Sequence, residues 1–164
     1  MLPQTPLIGI VGRLVEQKGF DLFLRAIHDV MREEVQFVVL GAGDRQLEQA
    51  VRQIETHYPR QVAAHIGFSE ELAHRIEAGA DMFLMPSRFE PCGLNQIYSL
   101  RYGTVPVVRR TGGLADTVTD YAAGADAATG FVFEEASPTA LGGALQRALD
   151  LYNEDPDGWR HLIH

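Results

Sequence analysis

Asp81-Met82-Phe83-Leu84-Met85-Pro86 runs directly into Ser87-Arg88-Phe89-Glu90-Pro91-Cys92-Gly93-Leu94-Asn95-Gln96. The first stretch is apolar, too short for a helix and bounded by turn residues, so it reads as a buried strand. From Leu94 to Tyr102, the residues Leu94, Ile97, Tyr98 and Arg101 fall on one helical face. Glu90 therefore sits in a loop at the carboxyl end of a strand, and Gly93 marks where the following helix begins. A helix start offers unpaired N–H groups and a positive dipole end, a natural seat for an anion. A carboxylate fits beside such a seat only if it addresses a different part of the ligand. A sugar-nucleotide, with a diphosphate and a hydroxylated ring, presents both parts.

Strand and helix alternate outward from this stretch in both directions. Leu7 to Gly12, Val35 to Leu40 and Val62 to Ile66 read as strands upstream, and Val105 to Val108 and Gly130 to Phe133 downstream. Pro106 implies incomplete pairing of its strand. Phe20, Phe23, Leu24, Ile27, Val30 and Met31 recur at helical spacing after Lys18-Gly19, and a second helix runs from Asp44 to about Tyr58. Ser69 caps a short helix carrying Leu72, Ala73 and Ile76, and Ser137-Pro138 opens one carrying Leu141, Leu145, Ala148, Leu149 and Tyr152. Ala122 to Thr129 reads as a flexible surface loop. Such alternation predicts an α/β fold: one domain over residues 1–164, with a parallel sheet covered by helices on both faces. Ligands of such folds bind outside the carboxyl ends of the strands.

Bulk composition narrows the function classes. The 164 residues suffice for one domain with a real core. A net charge of −8 argues against nucleic acid, whose phosphates demand a basic face, but leaves room for a small anion held by a few placed cations. Cys92 is the only cysteine, so no disulfide forms within the chain and a reducing compartment fits best. No apolar run approaches the roughly 20 residues that span a membrane. Met1-Leu2-Pro3-Gln4 begins no signal or transit pattern, so a cytoplasmic location is expected. The six histidines, His28, His57, His65, His74, His161 and His164, show no metal-ligand spacing, and no metal is expected.

Arg13 and Lys18 flank the turn after the first strand. Two solvated surface cations are the plain reading. Lys18, however, opens a helix, where the dipole disfavours a cation and a compensating anion would restore balance. Gly41-Ala42-Gly43-Asp44-Arg45-Gln46 lacks the third glycine of a dinucleotide fingerprint, and Gly9-Ile10-Val11-Gly12 does not fit one either, so a nicotinamide dehydrogenase is disfavoured. Thr111-Gly112-Gly113-Leu114 reads as a turn before a helix, whose glycines would also let the backbone approach a ligand closely. Phe68 follows Gly67 at a strand end, where an aromatic is more often core than ligand platform.

Glu90-Pro91-Cys92-Gly93-Leu94-Asn95-Gln96 together with Arg110-Thr111-Gly112-Gly113-Leu114-Ala115-Asp116-Thr117-Val118 resembles the C-terminal half of bacterial glycogen synthases and plant starch synthases, from about Leu7 to the end. These are retaining glucosyltransferases with two Rossmann-like domains, the GT-B arrangement. The resemblance implies a donor-binding domain for ADP-glucose or ADP, with no metal and no other cofactor. Arg13 and Lys18 would lie on the diphosphate, stabilising the charge of the leaving nucleoside diphosphate where other transferases use a metal. Glu90 would face the glucose, either orienting its hydroxyls or stabilising a cationic transition state. No partner acid for a two-carboxylate glycosidase layout is visible. Phe68 would hold the adenine, Cys92 would pack beside the sugar, and Gly93, Leu94 and Asn95 would donate to phosphate and sugar. Thr111, Gly112 and Gly113 would line the donor site. Related transferases carry a second Glu eight residues after the first, where Tyr98 stands here, in agreement with the synthases.

The α-1,4-glucan acceptor would be met by an N-terminal domain, expected to be missing from this chain. An excised domain of this kind would bind donor weakly and not elongate glucan alone. Two other readings stay open. One is the donor domain of a retaining GT-B transferase using UDP or GDP sugars. The other is a nucleotide- or glucan-binding module without chemistry.

Overall fold

A computed structural model describes residues 5–124 and 126–163. The expectations placed on Met1 to Gln4 and on His164 lie outside these residues. Six strands form one parallel sheet: β1 (Leu7–Val11), β2 (Gln36–Gly41), β3 (Val62–Ile66), β4 (Met82–Met85), β5 (Val105–Arg109) and β6 (Phe131–Phe133). Their spatial order is β3-β2-β1-β4-β5-β6. This order reverses direction between β1 and β4, the switch point at which the loops of a doubly wound sheet part and leave a crevice. Register is set by pairs such as Ile8 with Phe37 and Ile8 with Met82.

The helices are α1 (Phe20–Val30), α2 (Arg45–His57), α3 (Glu70–Gly79), α4 (Asn95–Tyr102), α5 (Gly112–Thr117), α6 (Pro138–Glu154) and α7 (Pro156–Leu162). Strand side chains alternate between two cores, as the two-residue period requires. Ile8, Ile10, Met82, Leu84, Val105 and Val107 join Phe23, Ile27, Leu145 and Leu149 of α1 and α6 on one face. Phe83, Met85, Val108 and Val132 meet Ile76 of α3 and Leu114 of α5 on the other. The second face also buries polar groups, with Glu77, Gln96, Ser99 and Thr104 all shielded from solvent.

The predicted caps are present: Ser69 Oγ accepts from Leu72 N–H, and Ser137 Oγ accepts from Ala140 N–H with Pro138 in the first turn. Pro106 pairs with Phe83 of β4, while the pairing of β5 to β6 starts only at Val107, so the strand is incompletely paired around the proline. Three features add to the expected pattern. Leu94 and Ile97 are exposed and α4 instead buries Gln96 and Ser99, because its polar side faces the Cys92-Gly93 turn and Thr117. The stretch read as a surface loop contains a 3-10 turn at Tyr121–Ala123 and a buried Ala128. It is tied at its start by Asp120, which accepts from Val132 N–H and from Arg147. Helix α7 was not anticipated. Asp155 caps it at Gly158 N–H, and Trp159 and Leu162 dock it on the core.

Candidate active site

The crevice at the switch point is walled by the loop after β1 and the loop after β4. A 3-10 turn, Glu16–Lys18, follows β1 and leads through Gly19 into α1. Gly19 has φ 75°, and a Cβ there would stand 2.0 Å from the Pro86 carbonyl oxygen. Only glycine lets the start of α1 lie against the end of β4 in this way. Lys18 is thereby brought to Glu90: Nζ lies 2.6 Å from Oε2, and Ser87 Oγ donates to the same oxygen at 3.1 Å. Glu90 is 8% exposed.

Three further bridges hold the two loops in register. Arg88 N–H donates to Gln17 O, and the Arg88 guanidinium donates to Glu16 O and bidentately to Asp21 at 2.5 and 2.8 Å. Arg109 at the end of β5 donates to Arg88 O at 2.6 Å. Lys18 and Glu90 are thus positioned by a guanidinium clamp that touches neither of them. Hydrogen bonding from Arg88, opposed by burial, holds the Asp21 carboxyl below the ordinary aspartate value of 3.8. A carboxyl depressed on folding stabilises the protein above its unfolded pKa, and that contribution is lost as pH falls through the folded value. Asp21→Asn should therefore lower stability near neutrality by about 1 kcal/mol, as expected for a partly exposed bidentate pair. The wild-type and variant melting curves should converge as the pH drops below 3.8. A gap that persists at low pH would show that the carboxylate charge is not the cause.

Gly93, with φ 67°, turns the chain into α4, and Gln96 Nε2 pins that turn by donating to Cys92 O and Gly93 O at 3.0 Å each. Two adjoining cavities open here. One, of about 290 Å³, is lined by Gly12, Lys18, Ser87, Glu90, Gly93 and Asn95 among others. The second, of about 470 Å³, includes Gly67, Phe68, His74, Glu77 and Tyr98. Val11, Gly12, Leu94 and Asn95 border both.

Of the residues singled out in the sequence, Lys18, Glu90, Gly93, Leu94 and Asn95 meet in the first cavity, and Phe68 stands 82% exposed on the second. Arg13 is exposed and lines neither cavity. Cys92 is exposed, not the packing residue expected, because the turn at Gly93 carries it outward. Thr111, Gly112 and Gly113 also line neither cavity. Their glycines, expected to let the backbone approach a ligand, lie instead against the backbone of the Glu90 loop: Gly113 N–H donates to Glu90 O and Pro91 O. Ser87, Arg88, Asp21, Arg109 and Gln96 were given no role from sequence. Ser87, Arg88 and Gln96 stand inside the quoted motif, while no signal singled out Asp21.

Among the described residues, no group of three or more His, Cys, Asp or Glu stands together as a metal site, and no helix is long and apolar enough to cross a membrane. A nest of one ammonium, one carboxylate and the open start of α4 can bind an anion and a polyhydroxyl group side by side.

The chain is similar to known proteins in sequence and in fold. The chain is 59% identical over 163 residues to the glycogen synthase of Thioalkalivibrio sulfidiphilus, covering 96% of this chain and 33% of that protein. It is 58% identical over 161 residues to the glycogen synthase of Anaeromyxobacter dehalogenans strain 2CP-1, covering 98% and 33%. The chain thus spans about a third of the length of these curated relatives. The catalytic domain of starch synthase IV from Arabidopsis thaliana, solved bound to ADP and acarbose, superposes with a TM-score of 0.90 at 36% identity, over 98% of this chain and 34% of that one. The sheet is accordingly the Rossmann-like half of a GT-B glycosyltransferase fold. Residues 3–160 match the family described as Glycosyl transferases group 1, and the chain belongs to that family.

Proposed function

We propose that this chain is the donor-binding domain of a glycogen or starch synthase. Within a longer polypeptide, it would move glucose from ADP-glucose to the 4-hydroxyl at the non-reducing end of an α-1,4-glucan, with retention of configuration. The observation that carries this reading is the Lys18–Glu90 pair at 2.6 Å in the cavity beside the start of α4. The glycogen synthase relatives and the ADP-bound starch synthase structure support the choice of donor.

An ammonium has three N–H donors, and Glu90 occupies one of them. The other two remain for the diphosphate, which also meets the N–H groups at the start of α4. As the bond from glucose C1 to the diphosphate oxygen breaks, negative charge grows on ADP and positive charge on the sugar ring. Lys18 stabilises the first and the Glu90 carboxylate, on the same cavity wall, the second. Each charge is met by preplaced groups, which lowers the barrier without a metal ion. Phe68 offers the nucleobase an apolar platform, and Arg13, exposed after β1, would add a second cation for the diphosphate. Acceptor contacts belong to the remainder of the polypeptide, so this chain alone binds ADP and ADP-glucose and does not elongate glucan.

A calorimetric panel tests the assignment. ADP is expected to bind more tightly than UDP or GDP, and a preference for UDP would move the chain to another class of sugar donor.

A further inference from the structure

The second cavity holds a charge arrangement with no part in the chemistry above. Glu77 on α3 is 1% exposed, and its Oε2 has no hydrogen-bond partner. The nearest side-chain nitrogen is on His74 one turn earlier, whose Nδ1 stands 3.5 Å from that oxygen and is itself buried and unpartnered. The His74 ring packs edge-on against Tyr98 at 5.4 Å between centroids. Its side chain is still 41% exposed, so with Nδ1 buried the open edge of the ring is the one bearing Nε2. Glu70 on the α3 surface comes no closer to Nε2 than 4.0 Å.

A buried carboxylate is costly, and burial raises the Glu77 carboxyl above its ordinary value, with His74 opposing the rise. Two apolar residues would pack α3 at least as well. What the pair does accomplish is orientation. With Nδ1 turned toward the carboxylate at 3.5 Å, the tautomer protonated at Nδ1 is favoured, and it leaves Nε2 as a hydrogen-bond acceptor. That acceptor borders the cavity on whose rim Phe68 stands 82% exposed, and a bare aromatic ring beside a polar acceptor suits a flat heterocycle with attached hydroxyls.

We propose that His74 contacts the nucleoside of the donor, its Nε2 accepting a hydrogen bond from an N–H or O–H of that group, with Glu77 as its positioning residue. This rests on the donor-site reading given above and adds to it a polar determinant on α3, apart from the diphosphate and sugar subsites.

The test is calorimetric titration of the chain with ADP and, separately, with inorganic pyrophosphate, which lacks a nucleoside. Loss of one hydrogen bond is expected to weaken ADP about tenfold in His74→Ala and in Glu77→Leu, with pyrophosphate unchanged. Glu77→Gln keeps a carbonyl oxygen to accept from Nδ1–H and should recover most of the ADP affinity that Glu77→Leu loses, while a purely structural role would move ADP and pyrophosphate together. Should Glu77→Leu fail to fold, the His74→Ala and Glu77→Gln titrations still decide. Wild-type affinity for ADP in His74→Ala overturns the proposal, as does an equal loss of ADP and pyrophosphate. Failure of the wild-type chain to bind ADP at all overturns the donor-site reading with it, whereas wild-type binding that His74→Ala leaves intact removes this proposal alone.

Discussion

Lys18→Ala weakens ADP binding by about 10²-fold, the scale expected when one member of a shielded charge pair is truncated. Two effects add in the same direction. The diphosphate loses an ammonium that can give it two N–H donors. It also gains an adversary, because Glu90 is 8% exposed and Lys18 is its only ion-pair partner among the described residues. An uncompensated carboxylate in that position repels the incoming phosphates through a poorly screened medium. The double variant Lys18→Ala/Glu90→Gln should therefore bind ADP better than Lys18→Ala alone. Calorimetry on the two variants and the wild type measures both steps. If the double variant were no better than the single one, Lys18 would be acting without reference to Glu90.

Gly113→Ala should dismantle the same site from behind. A Cβ on Gly113 would lie 2.1 Å from Cys92 O, 2.6 Å from Cys92 C and 2.7 Å from Cys92 Cα. All three are backbone atoms. They cannot retreat freely, because Gln96 Nε2 holds Cys92 O, and Gly113 N–H holds the carbonyls of Glu90 and Pro91. The added methyl must push the Glu90 loop away from α5, at a cost of about 1–3 kcal/mol for overpacking. In a domain of this size that lowers Tm by roughly 3–10 °C. ADP-glucose affinity should fall with it, since Glu90 is carried away from the sugar. Gly142→Ala provides the contrast. It lies within α6 with nothing within 4 Å of a new Cβ, so the substitution should raise stability by up to about 1 kcal/mol. Equal melting temperatures for the two variants would contradict this account of Gly113.

The strands were legible because a sheet covered on both faces demands unbroken apolar runs, and Leu7–Val11, Gln36–Gly41 and Met82–Met85 supply them. The serine caps of α3 and α6 were legible for an equally local reason, a hydroxyl bonding an N–H three residues on. Helix α7 carried a similar signal in Asp155-Pro156, an acidic cap followed by proline, and it went unused. The face of α4 was misleading: apolar spacing of Leu94 and Ile97 marks a stripe, but which stripe is buried depends on what lies beneath. Here Gln96 is needed underneath to hold the Cys92-Gly93 turn.

The site was legible only in its parts. Lys18 and Glu90 stood out by type and position, and Phe68 only through the family resemblance. Their relations did not, because the Lys18–Glu90 contact joins residues 72 apart and the Arg88–Asp21 clamp joins residues 67 apart. The glycines after β5 show the same limit. They were read as admitting a ligand, whereas the group packed against them is the Glu90 loop itself.

The central claim is that Lys18 serves the diphosphate while Glu90, bonded to it, serves the sugar. Titrating Glu90→Gln with ADP and with ADP-glucose separates the two roles. Removing the carboxylate charge frees Lys18 and should tighten ADP, while ADP-glucose, deprived of its sugar contact, should gain less or lose affinity. If Glu90→Gln changed both ligands by the same factor, Glu90 would not touch the sugar, and the account would fail.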